Sequence, residues 1–234
     1  MKRYYLSGII LCIAAFCAMP QENPNILTEK EKQDGWKLLF DGKTTNGWRG
    51  YMKKSFPKTG WKIEDGCLKK IARERGGDII TIDQYDNYEL QWEWRIPSQA
   101  NNGIKYLVTE KRPAAPGHEY QMIDDSAIQN KKQKTASFYD VLPPKQHAPI
   151  KLAPEWNHSK LVVNGNHVEH WLNGEKVLEY ELGSPELKKA IENSKFKTAD
   201  GFGEKIKGHV MLTDHTDECW YRNIKIRVLP SDKK

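Results

Sequence analysis

The sequence predicts an all-β protein in which two antiparallel sheets pack face to face and only one short helix forms. Three observations lead to this prediction: an alternating segment at residues 87–96, Asn-Gly pairs within residues 160–182, and many short strand-like runs elsewhere. Numerous short antiparallel strands with few helices are typical of a two-sheet sandwich. No segment repeats at a fixed period, and no linker divides residues 34–230, so we expect one domain there.

The segment NYELQWEWRI, residues 87–96, has the period of two of a half-buried strand. Successive side chains of a strand point to opposite faces of its sheet. One face is apolar and the other is polar: Tyr88, Leu90, Trp92, Trp94 and Ile96 against Glu89, Gln91, Glu93 and Arg95. We therefore expect the apolar face of this strand to lie in the core.

Three hairpins are predicted from turn residues. Asn164-Gly165 and Asn173-Gly174 each separate two strand-like runs, and both residues of an Asn-Gly pair tolerate the positive φ of a type I′ turn. Asp65-Gly66 is the turn of a third hairpin within residues 60–71. Further strands are expected at residues 36–40, 78–82, 103–108, 117–125, 136–141, 208–214 and 220–229.

The single predicted helix is SPELKKAIENS, residues 184–194. Ser184 can cap its N-terminus, and Pro185 suits the first turn because its missing N–H needs no partner there. Leu187 and Ile191 lie four residues apart and form an apolar stripe.

The N-terminal segment has the pattern of a secretory signal. Lys2 and Arg3 precede an apolar run from Leu6 to Ala18, and small residues lead to Pro20. We predict a signal peptide over residues 1–19, a polar tether over residues 20–33, and export to the bacterial periplasm or cell envelope. Membrane attachment is expected only if Cys17 is lipidated.

Charge and cysteine content restrict the remaining function classes. Loss of Lys2 and Arg3 with the signal lowers the formal net charge from +6 to +4, and no compact basic patch is present, so we expect no nucleic-acid partner. Cys67 and Cys219 remain after the signal, and the sequence is equally consistent with a disulfide or with two separate buried thiols.

The segment GHEYQMIDD, residues 117–125, concentrates hydrogen-bonding side chains in a strand. Alternation places Glu119, Gln121 and Ile123 on one face and Tyr120, Met122 and Asp124 on the other. One face has the character of a core and the other that of a site, although a solvated outer face is the simpler interpretation of this segment alone.

Several longer motifs resemble one known family. LLFDGKTTNGWRGY, YELQWEWRI, GHEYQMIDD, EWNHSKLVVNGNHVEHWLNG and GHVMLTDHTDECWYRNIKI follow one another as in the 3-keto-disaccharide hydrolase family, which comprises 3-keto-glucoside-1,2-lyase and 3-keto-2-hydroxy-glucal hydratase domains. The resemblance covers residues 36–229. It implies a concanavalin A-like jelly roll whose concave sheet binds a carbohydrate. The usual LQDHG of the family is LTDHT here, with Thr213 and Thr216 at the changed positions.

The resemblance implies candidate site residues. The family motifs place Glu119 and Gln121, together with Asp214 and His215, at the pocket, with Glu119, Asp214 and His215 as catalytic groups and Gln121 as a substrate ligand. His170 of HWLNG is a further catalytic candidate, although alternation places it on an apolar face, where a histidine is usually a hydrogen-bonded core residue. Four polar residues next to strand motifs are candidate substrate ligands, with a solvated or ion-paired surface role as the alternative: Lys105, Asp124, Glu93 and Arg95.

No zinc motif is present, and His167 and His170 point to opposite faces of their strand. No cofactor is required by the sequence, but a carboxylate-rich cleft is compatible with Ca²⁺, Mg²⁺ or Mn²⁺.

The implied reaction is cleavage of 3-keto-glucosides. A ketone at C3 makes the C2 proton acidic, so that an enolate can form and the C1 substituent can leave, and hydration of the 3-keto-2-hydroxy-glucal then gives net hydrolysis. Such a site needs a base near C2, an electrophile at the C3 oxygen and an acid near the leaving oxygen. The alternative is a non-catalytic carbohydrate-binding module of the same fold. A jelly-roll endoglucanase is disfavoured because neither Glu-x-Asp-x-Glu nor Glu-x-Asp-x-x-Glu occurs.

Overall fold

Two antiparallel β-sheets stack face to face and enclose the core. The computed structural model describes residues 24–145 and 149–230. The helices are α1 (Glu29–Gln33) and α2 (Pro185–Glu192). The strands are β1 (Trp36–Leu38), β2 (Trp48–Gly50), β3 (Trp61–Glu64), β4 (Cys67–Lys70), β5 (Ile79–Thr81), β6 (Tyr88–Arg95), β7 (Asn101–Val108), β8 (His118–Ile123), β9 (Asn157–Asn164), β10 (His167–Leu172), β11 (Glu175–Glu181), β12 (His209–Leu212) and β13 (Cys219–Val228).

The larger sheet has eight strands and the smaller sheet has five. The larger sheet has the order β11-β10-β9-β6-β13-β4-β3, with β1 also paired to β13. The smaller sheet has the order β2-β5-β12-β7-β8. Neighbouring strands in both sheets are antiparallel. The arrangement confirms the predicted all-β sandwich of two antiparallel sheets.

The core lies between the two sheets. Along β6, buried and half-buried residues alternate as predicted, so its apolar face is fully inside. Trp92 of β6 meets Tyr120 of β8 edge to face, with ring centroids 4.9 Å apart. This contact joins the larger sheet to the smaller one and establishes which face of β8 points inward. The opposite face of β8 is therefore the outer face of the smaller sheet.

The predicted hairpins form, but one turn differs. Asp65 and Gly66 have φ of 50° and 70°, and Asn173 and Gly174 have 50° and 91°, as a type I′ turn requires. β9 ends at Asn164 and β10 begins at His167, so Gly165 and Asn166 are the central residues of the other turn. Only Gly165 of this pair has positive φ, 58°, which matches a type II′ turn instead of the expected type I′.

The strand predicted at residues 136–141 is wrong in detail. This segment runs beside β8 and makes three backbone hydrogen bonds with it: Gln121 N–H to Ser137 O, Ala136 N–H to Gln121 O and Tyr139 N–H to Glu119 O. Ala136 and Asp140 have φ of 63° and 64°, so the backbone turns at both ends and no regular strand forms. The segment nevertheless covers the edge of β8.

The N-terminal segment is partly docked. Thr28 and Glu31 form a capping box on α1, and Asn25 donates to Gly66 O and exchanges hydrogen bonds with Asn223. The tether prediction therefore needs correction from Asn25 onward, because this part is bonded to the domain. The helix predicted near residue 185 is confirmed as α2, with Ser184 accepting from the Leu187 N–H.

Several predictions concern residues that are not described. The signal peptide over residues 1–19 and lipidation at Cys17 lie outside the described residues and stay predictions. Among the described residues, no helix combines the length and apolarity needed to cross a membrane. The two cysteines expected after the signal, Cys67 and Cys219, lie in the described part of the chain and are both free and buried.

Candidate active site

Glu119 lies at the centre of the candidate site, on the outer face of the smaller sheet. Its neighbours in β8, Tyr120 and Met122, belong to the core, as the alternation predicts. Glu119 and Gln121 point the other way and are still only 5% and 1% exposed. A covered outer face with acidic and amide groups is an unusual environment, because buried polar groups cost free energy unless they are paired.

Two cationic or basic groups converge on the Glu119 carboxylate. Lys105, which lies opposite Glu119 in the β7–β8 pairing, has its Nζ 3.7 Å from Oε2. Nε2 of His215 is 3.6 Å from Oε1. Gly103 of β7 leaves room for the carboxylate, since a Cβ at this position would lie 2.5 Å from Oε1. The structure thus brings together Glu119, Lys105 and His215, which are far apart in the chain.

The surrounding charges keep Glu119 ionised. Burial raises the pKa of Glu119, but the close approach of the His215 imidazole and the charges of Lys105, His215 and Lys195 outweigh burial and lower this pKa below its usual value. Lys195 follows α2, and its ammonium lies over the Tyr139 ring, 4.1 Å from the centroid. Neither Lys195 nor Tyr139 was a predicted site residue, because no motif marks them and only the tertiary structure places them beside β8.

The carboxylate of Asp214 makes structural contacts, and its catalytic role stays a prediction. Its Oδ2 accepts from the backbone N–H groups of Gly76 and Gly77, both at 2.8 Å. Its Oδ1 accepts from the Thr216 N–H and lies 3.0 Å from Nζ of Lys70, a fully buried side chain on β4. Both oxygens are therefore occupied. Asp214 fixes the turn that presents His215, whose side chain is 37% exposed.

The turn after β12 explains one departure from the family motif. Thr216 occupies the position of the usual glycine and has φ of 67°, in the left-handed region that glycine adopts without strain. Its hydroxyl donates to the His215 carbonyl, and its N–H donates to Asp214. The local hydrogen bonds therefore hold the turn in the conformation that glycine adopts freely.

Gln121 offers an unoccupied acceptor beside Glu119. Its Oε1 has no hydrogen-bond partner among the described residues, and the same holds for Oδ1 of Asn101 and Oγ of Ser137. Asn101 pairs with Ile123 and so shares the outer face with Gln121. Such acceptors are suited to the hydroxyl groups of a sugar.

His170 lies in the core and not at the site, so the catalytic assignment is wrong. Its side chain is fully buried between the sheets, and burial lowers its pKa to about 4. Nδ1 donates to the Ala136 carbonyl at 2.9 Å, so Nε2 accepts from Tyr106 Oη at 2.6 Å. The core interpretation that alternation favoured is the correct one.

A continuous hydrogen-bonded chain extends from His170 through the core. The Gly203 N–H donates to Nε2 of His118, so Nδ1 of His118 donates to Tyr180 Oη at 3.0 Å. Tyr180 and Tyr106 are joined at 2.6 Å, and Tyr106 reaches His170. Burial lowers the pKa of His118 to about 3, and both imidazoles are therefore neutral.

Three predicted substrate ligands lie elsewhere. Asp124 caps the 3₁₀ turn Asp125–Ala127, and its carboxylate accepts from Ser126 and from the Gln99 N–H. Glu93 and Arg95 lie on the outer face of the larger sheet. Glu93 pairs with Arg222 at 2.6 Å, and Arg95 stacks on Trp156 and Trp220. Sandwich packing separates this face from Glu119, so Glu93 and Arg95 do not share a site with Glu119, and their contacts match the ion-paired surface role that was the alternative.

One group of described side chains is close enough to share a metal ion: His167, Glu169 and Glu179. It lies on the outer face of the larger sheet, and the Lys176 ammonium bonds to both Glu169 and Glu179. A cation of the protein thus already balances these carboxylates. A divalent ion at the Glu119 site stays a prediction.

The comparison with known families gives a match over most of the chain. The model of the 3-keto-alpha-glucoside-1,2-lyase-like domain matches residues 35–227. The chain belongs to this family.

A relative and two solved structures are similar to this chain over most of its length. A 3-keto-disaccharide hydrolase of Bacteroides thetaiotaomicron is 36% identical over 235 aligned positions, covering 84% of this chain and 79% of the relative. A candidate glycosyl hydrolase of Parabacteroides distasonis is 32% identical, with a TM-score of 0.79 over 89% of this chain and 100% of that one. A second from the same organism is 27% identical, with a TM-score of 0.68 over 83% and 99%.

Proposed function

We propose that this protein hydrolyses 3-keto-disaccharides and related 3-keto-glucosides, and that the Glu119 cluster is its active site. The observation that supports this most directly is the convergence of Lys105 and His215 on the covered carboxylate of Glu119. Family membership and the named activity of the Bacteroides thetaiotaomicron relative support the substrate class. Fold alone would not, because one fold serves many reactions.

The proposed first step is elimination across C1 and C2. His215 is the base: its Nε2 is directed at Glu119, so the other ring nitrogen is free to take the C2 proton. The electron pair of the C2–H bond forms an enolate at the C3 oxygen and then the C1–C2 double bond as the C1–O bond breaks. The imidazolium of His215 gives this proton to the leaving oxygen, and the products are a 3-keto-2-hydroxy-glucal and the released alcohol or sugar.

Charge placement fits this step. Glu119 is ionised, so it stabilises the imidazolium that forms when His215 accepts the C2 proton. The Lys105 ammonium lies beside the Glu119 carboxylate, and its positive charge stabilises the enolate oxygen. Addition of water across C1 and C2 of the glucal in the second step gives the free 3-keto sugar, and the net reaction is hydrolysis without a glycosyl-enzyme.

The test of mechanism uses isotope exchange. A 3-keto-glucoside processed in D₂O is expected to give product with deuterium at C2, or a trapped 3-keto-2-hydroxy-glucal, while the unoxidised glucoside stays intact. Mass spectrometry and NMR of the products measure both. Equal cleavage of the plain glucoside without label at C2 would contradict the elimination mechanism and leave hydrolysis of another type.

The test of the site uses isosteric substitutions. His215→Gln and Glu119→Gln are each expected to lower kcat by roughly 10²- to 10⁴-fold, as for loss of a general acid-base group or of its charged partner, with the fold retained. His167→Gln, on the larger sheet, is the matched control and should retain turnover. Affinity for sugars without any turnover of 3-keto-glucosides would instead support the carbohydrate-binding module.

A further inference from the structure

A large cavity has Lys195, one of the cations that act on Glu119, in its lining, and we call it the cationic cavity. Its volume is about 970 Å³, and it is lined by the loop after β7, by the segment that follows α2, and by the residues before β12. Polar, charged and apolar groups all contribute to the lining, including Thr109, Gln84, Phe196 and Ile206. The volume is in the upper range of ligand pockets and is sufficient for a sugar or an aromatic ring.

Four cationic side chains from three chain segments line this cavity, against two carboxylates, Asp200 and Glu204. The cations are Lys111, Arg112, Lys195 and Lys207. Within the described part of the chain, no carboxylate oxygen lies within 4.0 Å of the charged nitrogen atoms of these four residues, so none of them forms an ion pair. By contrast, Arg49 near the same loop is paired with Glu110 at 2.8 Å. The cavity therefore has an excess of positive charge that no ion pair neutralises.

Arg112 is held rigidly in this lining. Its Nε donates to the Ala115 carbonyl and its Nη1 donates to the Asp200 carbonyl, both at 2.7 Å, and its guanidinium faces the Phe202 ring. Both hydrogen-bond partners are neutral carbonyl groups, and the carboxylates of Asp200 and Glu204 act on Arg112 only through charge, without forming an ion pair. Burial lowers the pKa of Arg112 and also that of Lys195, which indicates partial loss of water around both cations.

Lys195 connects the cationic cavity to the candidate active site. It lines the cavity, and its charge also contributes to the lowered pKa of Glu119. A substrate whose reacting sugar lies at Glu119 would therefore extend its C1 substituent past Lys195 into the cavity.

We propose that the cationic cavity is the leaving-group subsite of the active site and that it selects leaving groups carrying an anionic group, such as the carboxylate of a uronic acid or of a phenolic acid. The inference rests on the proposed function and adds the substrate class. A carboxylate in the cavity would supply the missing counter-charge for Arg112 and Lys207, whereas an uncharged group of the same shape would leave these cations unpaired.

The test compares two 3-keto-glucosides with leaving groups of equal shape, 4-carboxyphenyl and 4-carbamoylphenyl. Wild-type protein is expected to favour the carboxylate substrate in kcat/KM by roughly tenfold or more, from one charge-assisted hydrogen bond. Arg112→Gln and Lys207→Gln are each expected to reduce this preference several-fold. The quantity compared between variants is the ratio of kcat/KM for the two substrates. This comparison cancels the difference in acidity between the two leaving groups.

Lys160→Gln is the control, since its ammonium lies over Trp171 on the other sheet, and the ratio should not change. Lys207 has an exposed side chain, so Lys207→Gln gives a readout even if Arg112→Gln fails to fold. An unchanged ratio in folded Lys207→Gln and Arg112→Gln, or the absence of any carboxylate preference in the wild type, would overturn the proposal.

A binding measurement separates this proposal from the reaction itself. Calorimetric titration of the full chain with 4-hydroxybenzoate and 4-hydroxybenzamide requires no turnover. Tighter binding of the benzoate, lost in Lys207→Gln and weakened by added salt, supports the subsite even if the elimination mechanism fails. Equal binding of the two ligands overturns the subsite even if 3-keto-glucosides are cleaved.

Discussion

The side chains of two neighbouring residues after β12, Asp214 and His215, make different contacts. Asp214 is nearly buried and accepts from two backbone N–H groups while pairing with Lys70. His215 projects from the turn toward Glu119. Lys70 belongs to the larger sheet and Asp214 follows a strand of the smaller one, so this ion pair also joins the two sheets at the edge of the candidate site.

Asp214→Asn is therefore expected to act mainly on stability. It leaves the fully buried Lys70 ammonium without its carboxylate, and breaking a buried ion pair by removing one partner costs about 3 kcal/mol. The free energy of unfolding from urea titration measures this change. Lys145→Gln, which removes the exposed partner of Glu179, is the control and should not shift the midpoint. A wild-type midpoint for Asp214→Asn together with lost turnover would return Asp214 to a catalytic role.

At the scale of elements, the β7–β8 pair forms the floor of the candidate site. Gly103 pairs with Gln121 and lies diagonally across this pair from Glu119, whose flexible side chain occupies the space that a Cβ would take. Gly103→Ala should therefore displace the carboxylate from Lys105 and His215 while the backbone stays in place.

For Gly103→Ala we expect kcat/KM to fall by roughly tenfold or more with little change in thermal midpoint, because small displacements of a catalytic group are costly for rate. Gly50→Ala in β2 is the matched control, since its Cβ would meet only Lys53 and Ser55. Full activity of Gly103→Ala would argue that the position of Glu119 is not critical.

The hydrogen-bonded chain between the sheets predicts a pH dependence of stability. His118 and His170 have folded-state pKa values of about 3 and about 4, below the unfolded value of about 6.5. The unfolded state therefore binds protons first, and the free energy of unfolding falls as pH decreases from about 6.5 toward 4. His170→Gln should flatten this fall between pH 6.5 and 5, measured by urea titration at several pH values.

His167 provides a control of opposite sign. Although partial burial opposes it, hydrogen bonds to Glu181 and Glu169 raise the pKa of His167, so its stabilisation is present at low pH and lost as pH rises through the folded pKa. His167→Gln should therefore steepen the acid fall. If His170→Gln leaves the slope unchanged, the buried imidazoles are not the groups that titrate.

At the scale of the whole molecule, the sandwich presents two different outer faces. The smaller sheet exposes the Glu119 cluster to its covering loops, whereas the larger sheet presents tryptophans stacked with cations, such as Arg95 between Trp156 and Trp220. The distance across two sheets and their core separates these faces, because packed sheets lie roughly 10 Å apart.

Arg95→Gln and Glu93→Gln are consequently expected to leave kcat and KM for a 3-keto-glucoside within about twofold of wild type, as for substitutions remote from a site. Lys105→Gln, on the smaller sheet, should lower kcat/KM in the same assay. A strong loss of activity in Arg95→Gln at wild-type stability would place substrate on the larger sheet instead.

Most of the strands, the three hairpins and the two faces of β8 could be predicted from the sequence, whereas β2 was not predicted. These features depend on a side-chain period of two and on residues that tolerate positive φ, both of which are local properties of the chain. The family motifs were likewise local, and they located Glu119 and His215. Where local signals were mixed, as at residues 136–141, the prediction of a regular strand was wrong because Ala136 and Asp140 turn the backbone.

Which polar residues of the candidate site lie together depends on how the two sheets stack. Alternation assigns a side chain to a face of its strand but not to a sheet, so Glu93 and Arg95 could not be separated from Glu119 before the sheets were stacked. The contacts of Asp214 could not be predicted either, because its Oδ2 accepts from two residues of a distant loop. Lys195 entered the site only through the packing of the segment after α2 against β8, because contacts between residues far apart in the chain depend on the three-dimensional arrangement of its elements.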